Sequence, residues 1–456
     1  MERWCANWSA TDPSLSTSSA SLKYDWRKLL PASIVGRSFM ELRRRSWPVV
    51  CFINSVSVGR IVCSDSHRFN LDCKAAPSAL LHQPRGVTCR RLDPEPIIAP
   101  AIIGVMRVLC LLSARNLGDA VIHSQVLDTL AERCYADRYL IWTFPQGAHL
   151  FRATPNCKIF TSSFPMGATV KGFLRHGMPS FLNALHLLRK ERPTQTLDLV
   201  GDFRERLACR LLGAPENISP DWAPGHPMRP HIRCWSLREA GQVPVSNRSP
   251  NVYAAYTEIL RAITGDQSLE LRRIPPRSAA TLSIGMHPFA STECKLWPKK
   301  SWVALMARLH LRYPEARFIL FGAPADREAL SVLSAEAGIP AEVFTSTLLQ
   351  FREKVAELSV LVGLDSFSVH LASSVGVPAV VLVGPNDPVV FAPPTGLLVT
   401  QPDVCPLHPC YGKPGCVGKG FEYACMRSIA VSDVEERVAE ALAVTSTSGS
   451  RAAGLR

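Results

Sequence analysis

The chain lacks any uninterrupted apolar run of the ~18 residues that a membrane-spanning helix needs. The nearest approach, 96–112, is broken by Pro100 and Arg107. Its opening, Met1-Glu2-Arg3-Trp4-Cys5, does not have the charged-then-apolar order of a secretory signal. It has no arginine-rich arm or RNA-binding signature, which argues against nucleic acid as a partner. It has no internal repeat, which excludes solenoids and propellers. No two cysteines stand in the tight C-x2-C spacing of a zinc knuckle.

What remains is a globular composition. The 456 residues are 47% hydrophobic and 20% charged, enough for two ordinary domains with large cores. The net charge is +13, of which residues 1–105 supply +6, with 14 Lys and Arg against 8 Asp and Glu. Such an excess reads either as a solvated surface or as attraction to anionic lipid and phosphorylated glycans. Of 15 cysteines, five lie in 1–105 and six are scattered through 106–400, as small buried apolar residues would be. The last four, Cys405, Cys410, Cys416 and Cys425, fall within 21 residues as C-x4-C-x5-C-x8-C. Four thiolates in a Gly- and Pro-containing loop could hold zinc or iron; reduced thiols and disulfides are the alternatives.

Residues 1–105 show no sustained period of 2 or 3.6, so an N-terminal extension that is either disordered or not part of the native product is expected there; a separate domain is the alternative. From Met106 the pattern alternates. Strands are expected at 107–112, 139–144, 158–161 and 197–200, with helices at 120–134, 181–190 and 252–263. Arg273–Ser278 reads as a linker. A second series follows: strand 282–287, helix 302–311, strand 317–321, helices 326–336 and 348–358, strand 360–364, helix 368–375 and strand 379–383, closed by an amphipathic helix at 433–443. Alternation of this kind predicts an α/β fold with parallel sheets covered on both faces. The division expected is an acceptor domain at 106–275, a nucleotide-sugar donor domain at 276–445 and a disordered tail at 446–456.

The most informative stretch is Val360 to Pro388, VLVGLDSFSVHLASSVGVPAVVLVGPNDP. A carboxylate, Asp365, ends a strand, and Ser366 stands at the N-cap of a short helix. In an open α/β sheet that is a ligand position, with unpaired N–H groups suited to pyrophosphate. The stretch resembles the core motif of the bacterial heptosyltransferase family, glycosyltransferase family 9. Asp365, Ser366, His370, Leu371, Ala372, Gly384, Pro385, Asp387 and Pro388 match it. Phe367 stands where the family has Gly, and Asn386 where it has Thr. The resemblance extends over about 106–445 and implies the GT-B architecture, two Rossmann-like domains facing a cleft.

The resemblance also implies roles. Gly118-Asp119, after the first strand, matches the turn whose Asp is the catalytic base; a helix cap is the alternative reading. His287-Pro288 through Lys295-Leu296-Trp297-Pro298 matches the family's second motif. Lys295 would there offset charge on the departing nucleoside diphosphate, with Ser291 and Thr292 donating to phosphate oxygens. Asp326 would hold the donor ribose, or only cap a helix. Asp365 and Ser366 would meet the donor, and His370 would meet phosphate or sugar, or be a packed structural histidine. Some autotransporter heptosyltransferases bind iron through cysteines placed like the four here.

The activity implied is inverting transfer of a heptose or related sugar from a nucleotide sugar such as ADP-heptose. The acceptor would be a lipopolysaccharide core, another surface glycan or glycolipid, or a protein, handled in a bacterial cytoplasm or at the inner-membrane surface. Transfer would need no cofactor, since no Asp-x-Asp metal motif stands at the expected place. The alternatives are a catalytically inactive nucleotide-sugar-binding protein and a nucleotide-sugar 2-epimerase on the same fold.

Overall fold

A computed structural model describes residues 106–453, apart from 152, 153, 155, 166–171, 231–240, 277, 278 and 280. The expected N-terminal extension, 1–105, lies outside the described residues.

Two six-stranded sheets are formed, and every strand pairing in them is parallel. The first contains β1 (Val108–Ser113), β2 (Arg138–Thr143), β3 (Cys157–Thr161), β4 (Gln195–Asp198), β5 (Glu216–Trp222) and β6 (Gln242–Val245), in the order β3-β2-β1-β4-β5-β6. The second contains β7 (Ser283–His287), β8 (Arg317–Gly322), β9 (Ala341–Thr345), β10 (Val360–Leu364), β11 (Ala379–Val383) and β12 (Gly396–Thr400), in the order β12-β11-β10-β7-β8-β9. The central strands β1, β7, β10 and β11 are buried throughout, as near-continuous apolar runs in a two-faced parallel sheet must be.

Each sheet reverses its winding once. In the first, β1 lies beside β4; in the second, β7 lies beside β10. A crevice opens at the carboxyl ends of such a strand pair, because the chain leaves them toward opposite faces. These two switch points decide where chemistry can sit.

The principal helices are α1 (Leu117–Glu132), α2 (Met178–Lys190), α3 (Phe203–Leu212), α4 (Val252–Thr264), α5 (Lys299–Arg312), α6 (Arg327–Ala337), α7 (Leu348–Val355), α8 (Phe367–Ser374) and α9 (Val431–Ala453). Asn116, Asp202 and Asn251 cap α1, α3 and α4 by accepting backbone N–H bonds. Gly213, Gly265 and Gly338 end α3, α4 and α6 in the left-handed conformation that glycine reaches without strain. The helix α9 runs on to Ala453, past the end expected at 443 and into the expected tail. Its Val434, Val438 and Ala441 close the outer face of the second sheet.

One apolar cluster runs through both halves. It joins Leu109, Leu111 and Ile141 of the first sheet to Phe321, Phe351, Leu361 and Phe367 of the second. The bridge is the packing of α1 against α8, the most extensive helix–helix contact among the described residues. Because that core is continuous, the halves should unfold together. Phe351→Ala should cost about 3–5 kcal/mol, and urea unfolding should show one transition for the tryptophans of both halves, at a lowered midpoint. Two separate transitions in the unmutated protein would contradict this coupling.

Candidate active site

At the second switch point the loop after β7 delivers Lys295 and the end of β10 delivers Asp365. The Lys295 ammonium donates to the Asp365 backbone oxygen at 2.9 Å and to its Oδ2 at 3.2 Å. Both side chains are largely withdrawn from water, at 19% and 8% exposed, so their attraction is weakly screened. An ammonium has three N–H bonds, and one remains for a ligand. Asn386, in the turn after β11, donates its amide to Asp365 Oδ2. The residue in place of the family's Thr therefore shares this carboxylate oxygen with Lys295. Asn386 is held in turn by His408, whose Nε2 lies 3.0 Å from its carbonyl oxygen.

Helix α8 begins at Ser366, which takes the N-cap position but caps no backbone N–H; its hydroxyl lies 3.2 Å from Ser368 Oγ instead. The N-terminus of α8, where the helix dipole favours negative charge, thus has no side-chain cap from Ser366. Ser368 Oγ also lies 3.1 Å from His287 Nδ1, tying α8 to the end of β7. Phe367 does not enter the phosphate position: its side chain is buried in the shared core, against His287 and Phe351 with ring centroids 5.4 Å away in each case. His370 is buried, and its Nδ1 lies 2.9 Å from the Tyr253 hydroxyl. Burial pushes its pKa down to about 4; Asp365 opposes this and Lys295 adds to it, so the ring is neutral near pH 7.

The first switch point supplies Asp119. Asn116 accepts from the Asp119 N–H at 2.9 Å and donates its amide to Asp119 Oδ2 at 2.9 Å, a reciprocal cap that fixes the carboxylate on the first turn of α1. Burial raises the Asp119 pKa above its usual 3.8, against the pull of Arg115 and of the Asn116 hydrogen bond. Arg115 spans the switch point, bidentate to Glu205 at 3.0 Å and within 3.3 Å of Asp202. Burial works against the Arg115 charge, but Glu205, Asp119 and Asp202 outweigh it and keep the guanidinium protonated.

The two sites meet at Gly118. A Cβ there would lie 3.7 Å from His370 Cδ2 and 3.9 Å from Phe367 Cα. The Asp119 turn of one half therefore stands directly against α8 of the other.

The remaining candidates are less central. Ser291 is exposed and Thr292 partly so, in the loop between His287 and Lys295. Thr292 Oγ1 lies 3.5 Å from Cys294 Sγ. Trp297 is packed, donating to the Ile429 carbonyl at 3.2 Å and meeting Trp302 edge-on. Asp326 follows β8 and accepts from the Ala323 N–H at 2.8 Å, the capping geometry. The structure brings it into contact with neither Lys295 nor Asp365.

Among the described residues no group of three or more His, Cys, Asp or Glu is placed to hold a metal ion. Cys405, Cys410, Cys416 and Cys425 are all free; Cys405, Cys416 and Cys425 are buried and Cys410 is half-buried. Cys405 and Cys425 pack in the second apolar core. Burial, reinforced by the neighbouring Cys405 and Cys410, raises the Cys425 pKa to about 11.

Sequence reasoning missed Asn116, Arg115, Asp202, Glu205, Tyr253 and Asn386 as functional supports. Asn116 had a usable signal, since Asn-x-x-Asp before an apolar run is a cap pattern. The others act across distances of 21 to 117 residues in sequence, which no local pattern encodes.

Two six-stranded parallel sheets, each with one switch point, have the architecture of the GT-B fold. Residues 256–401 match the family model for glycosyltransferase family 9 (heptosyltransferase). Three solved structures share the fold. A family 9 glycosyl transferase from Veillonella parvula is 15% identical, with 74% of this chain and 97% of that one covered and a TM-score of 0.55. The E. coli ADP-heptose lps heptosyltransferase II is 18% identical, with 74% and 98% covered and a TM-score of 0.50. E. coli heptosyltransferase WaaC with ADP is 14% identical, with 74% and 99% covered and a TM-score of 0.53. No curated protein is similar enough to match the chain. Among the described residues no helix is long and apolar enough to cross a membrane.

The Arg115 network is the structural support of the Asp119 turn. Glu205→Ala removes the bidentate partner of Arg115 and leaves it with Asp202, so it should destabilise the protein by about 1–3 kcal/mol. A thermal melt unchanged from the original would show that the network carries no such weight.

Proposed function

We propose that the protein is an inverting glycosyltransferase that moves a heptose, or a closely related sugar, from ADP-heptose to a surface-glycan acceptor such as a lipopolysaccharide core. The observation that carries this reading is the meeting, at Gly118, of the Asp119 turn with α8, which begins beside the Lys295–Asp365 pair. A base and a diphosphate-binding constellation come from opposite halves, as in-line displacement requires. The match to family 9 and the words ADP-heptose and ADP in the descriptions of two similar structures support the donor assignment.

In this mechanism the diphosphate lies on the uncapped N-terminus of α8, with the remaining N–H of Lys295 on a phosphate oxygen. Asp365 Oδ1, which no described residue engages, accepts from a hydroxyl of the donor sugar. The acceptor hydroxyl stands at Asp119. As its oxygen attacks the anomeric carbon, Asp119 takes its proton and the bond from that carbon to the diphosphate oxygen breaks. The departing diphosphate carries the electron pair away under the charge of Lys295 and the α8 amides. Attack opposite the leaving group inverts the anomeric centre. The ammonium and the helix N-terminus supply the positive charge, so the reading requires no cofactor for transfer. Asp326 would hold the donor ribose through the carboxylate oxygen that the Ala323 N–H leaves over, and Ser291 and Thr292 would close over the phosphates. The reading places the enzyme in the bacterial cytoplasm, reaching lipid-linked acceptors at the inner-membrane surface.

Asp119→Asn should retain donor affinity and lose transfer by ~10²-fold or more. Lys295→Ala should weaken both donor binding and turnover, because the lost charge serves ground and transition states alike. Near-normal turnover by Asp119→Asn with ADP-heptose and a lipopolysaccharide-core acceptor would remove Asp119 as the base.

The raised pKa of Asp119 has a kinetic sign. The basic form is lost as pH falls through that pKa, so the acidic limb of kcat/KM should lie above the usual 3.8. Asn116→Ala deletes a hydrogen bond that lowers this pKa and should move the limb to higher pH. A limb that stays in place, or moves down, would contradict the assignment.

A further inference from the structure

The first turn of α4 belongs in sequence to the first half, but it is bound to the second. Asn251 donates to the carbonyls of Val389 and Ala392 at 2.8 and 3.0 Å, and the Val252 N–H donates to Val390 at 2.9 Å. This fastening sets Tyr253 against His370, with the hydroxyl 2.9 Å from Nδ1 and both side chains buried.

A neutral imidazole carries one N–H, and its other nitrogen is an acceptor. Which nitrogen is which follows from where the phenol sends its proton. The amide nitrogen of the buried Gln125 completes no hydrogen bond. The buried phenol O–H needs an acceptor, and His370 Nδ1, 2.9 Å away, is one. The phenol therefore directs its proton to His370 Nδ1. The imidazole proton then sits on Nε2. That edge of the ring is the one that faces the active site: Cδ2, bonded to Nε2, is the atom that a Cβ on Gly118 would approach at 3.7 Å.

We propose that Tyr253 is a positioning residue, whose hydroxyl donates to His370 Nδ1, fixes the Nε2–H tautomer and turns that N–H toward the Gly118–Asp119 turn to donate to an oxygen of the bound nucleotide sugar. The inference rests on the reading of His370 as a donor-binding residue. It adds that the donor site depends on a residue of α4, outside the loops that carry the recognised motifs. A neutral N–H suits the task, because it offers a hydrogen bond without a second full charge beside Lys295.

The test uses the full chain labelled with ¹⁵N-histidine. His370, assigned by its disappearance in His370→Gln, should show an acceptor-type Nδ1 and a protonated Nε2. Tyr253→Phe should leave a mixture of tautomers. Affinity for ADP-heptose should fall about tenfold in Tyr253→Phe, the equivalent of one hydrogen bond. A merely structural role would leave the tautomer unmoved. An Nδ1–H tautomer in the unmutated protein overturns the proposal, as does a ratio unchanged in Tyr253→Phe. Failure of the unmutated protein to bind ADP-heptose would instead overturn the donor assignment, and would be visible separately from the nitrogen shifts.

Discussion

The packing of α1 on α8 is the constraint on which the rest depends. Parallel sheets place reactive residues at strand carboxyl ends, but each sheet alone supplies half a site. The first offers the Asp119 carboxylate on the first turn of α1; the second offers Lys295, Asp365 and the N-terminus of α8. Only where Gly118 lies against α8 do the halves become one constellation. The shared apolar core, running from β1 to Phe367, holds that contact in place.

Charge is distributed accordingly. At the first switch point a guanidinium bridges two carboxylates, Glu205 and Asp202, beside the Asp119 turn. At the second, one ammonium meets one carboxylate, and the helix beside it is left uncapped. The first arrangement holds a turn rigid; the second keeps capacity for a ligand. The contrast follows from counting donors and acceptors, and it separates scaffold from site more sharply than burial does, since both places are buried.

Much of this was legible in the sequence. The apolar runs of β1, β7, β10 and β11 announce buried parallel strands, and the order of strands and helices announces the α/β plan. Asp119 falls on the turn after β1 and Asp365 at the end of β10, the positions their motifs announce. The misses have physical causes. The edge strand β9 is partly buried and mixes polar with apolar residues, so it has no strong period, and β5 contains Pro220 and Asp221. Asn386 reads as a departure from a motif, whereas its amide donates to Asp365. Phe367 reads as an obstacle to phosphate, but χ freedom lets the ring turn into the core while the backbone keeps its course.

The linker between the sheets has a mechanical consequence. Gly376, just beyond α8, has a φ of 78°, and the Pro275 carbonyl oxygen occupies the space where a Cβ on it would project, at 2.6 Å, with Ile274 Cγ2 at 2.7 Å. The strap that joins the halves thus lies on the far end of the helix whose near end offers its amides to the anion. Any swing of one half about that strap would press on α8 like a thumb on a lever. Opening and closing of the enzyme and its grip on the nucleotide would then be one motion.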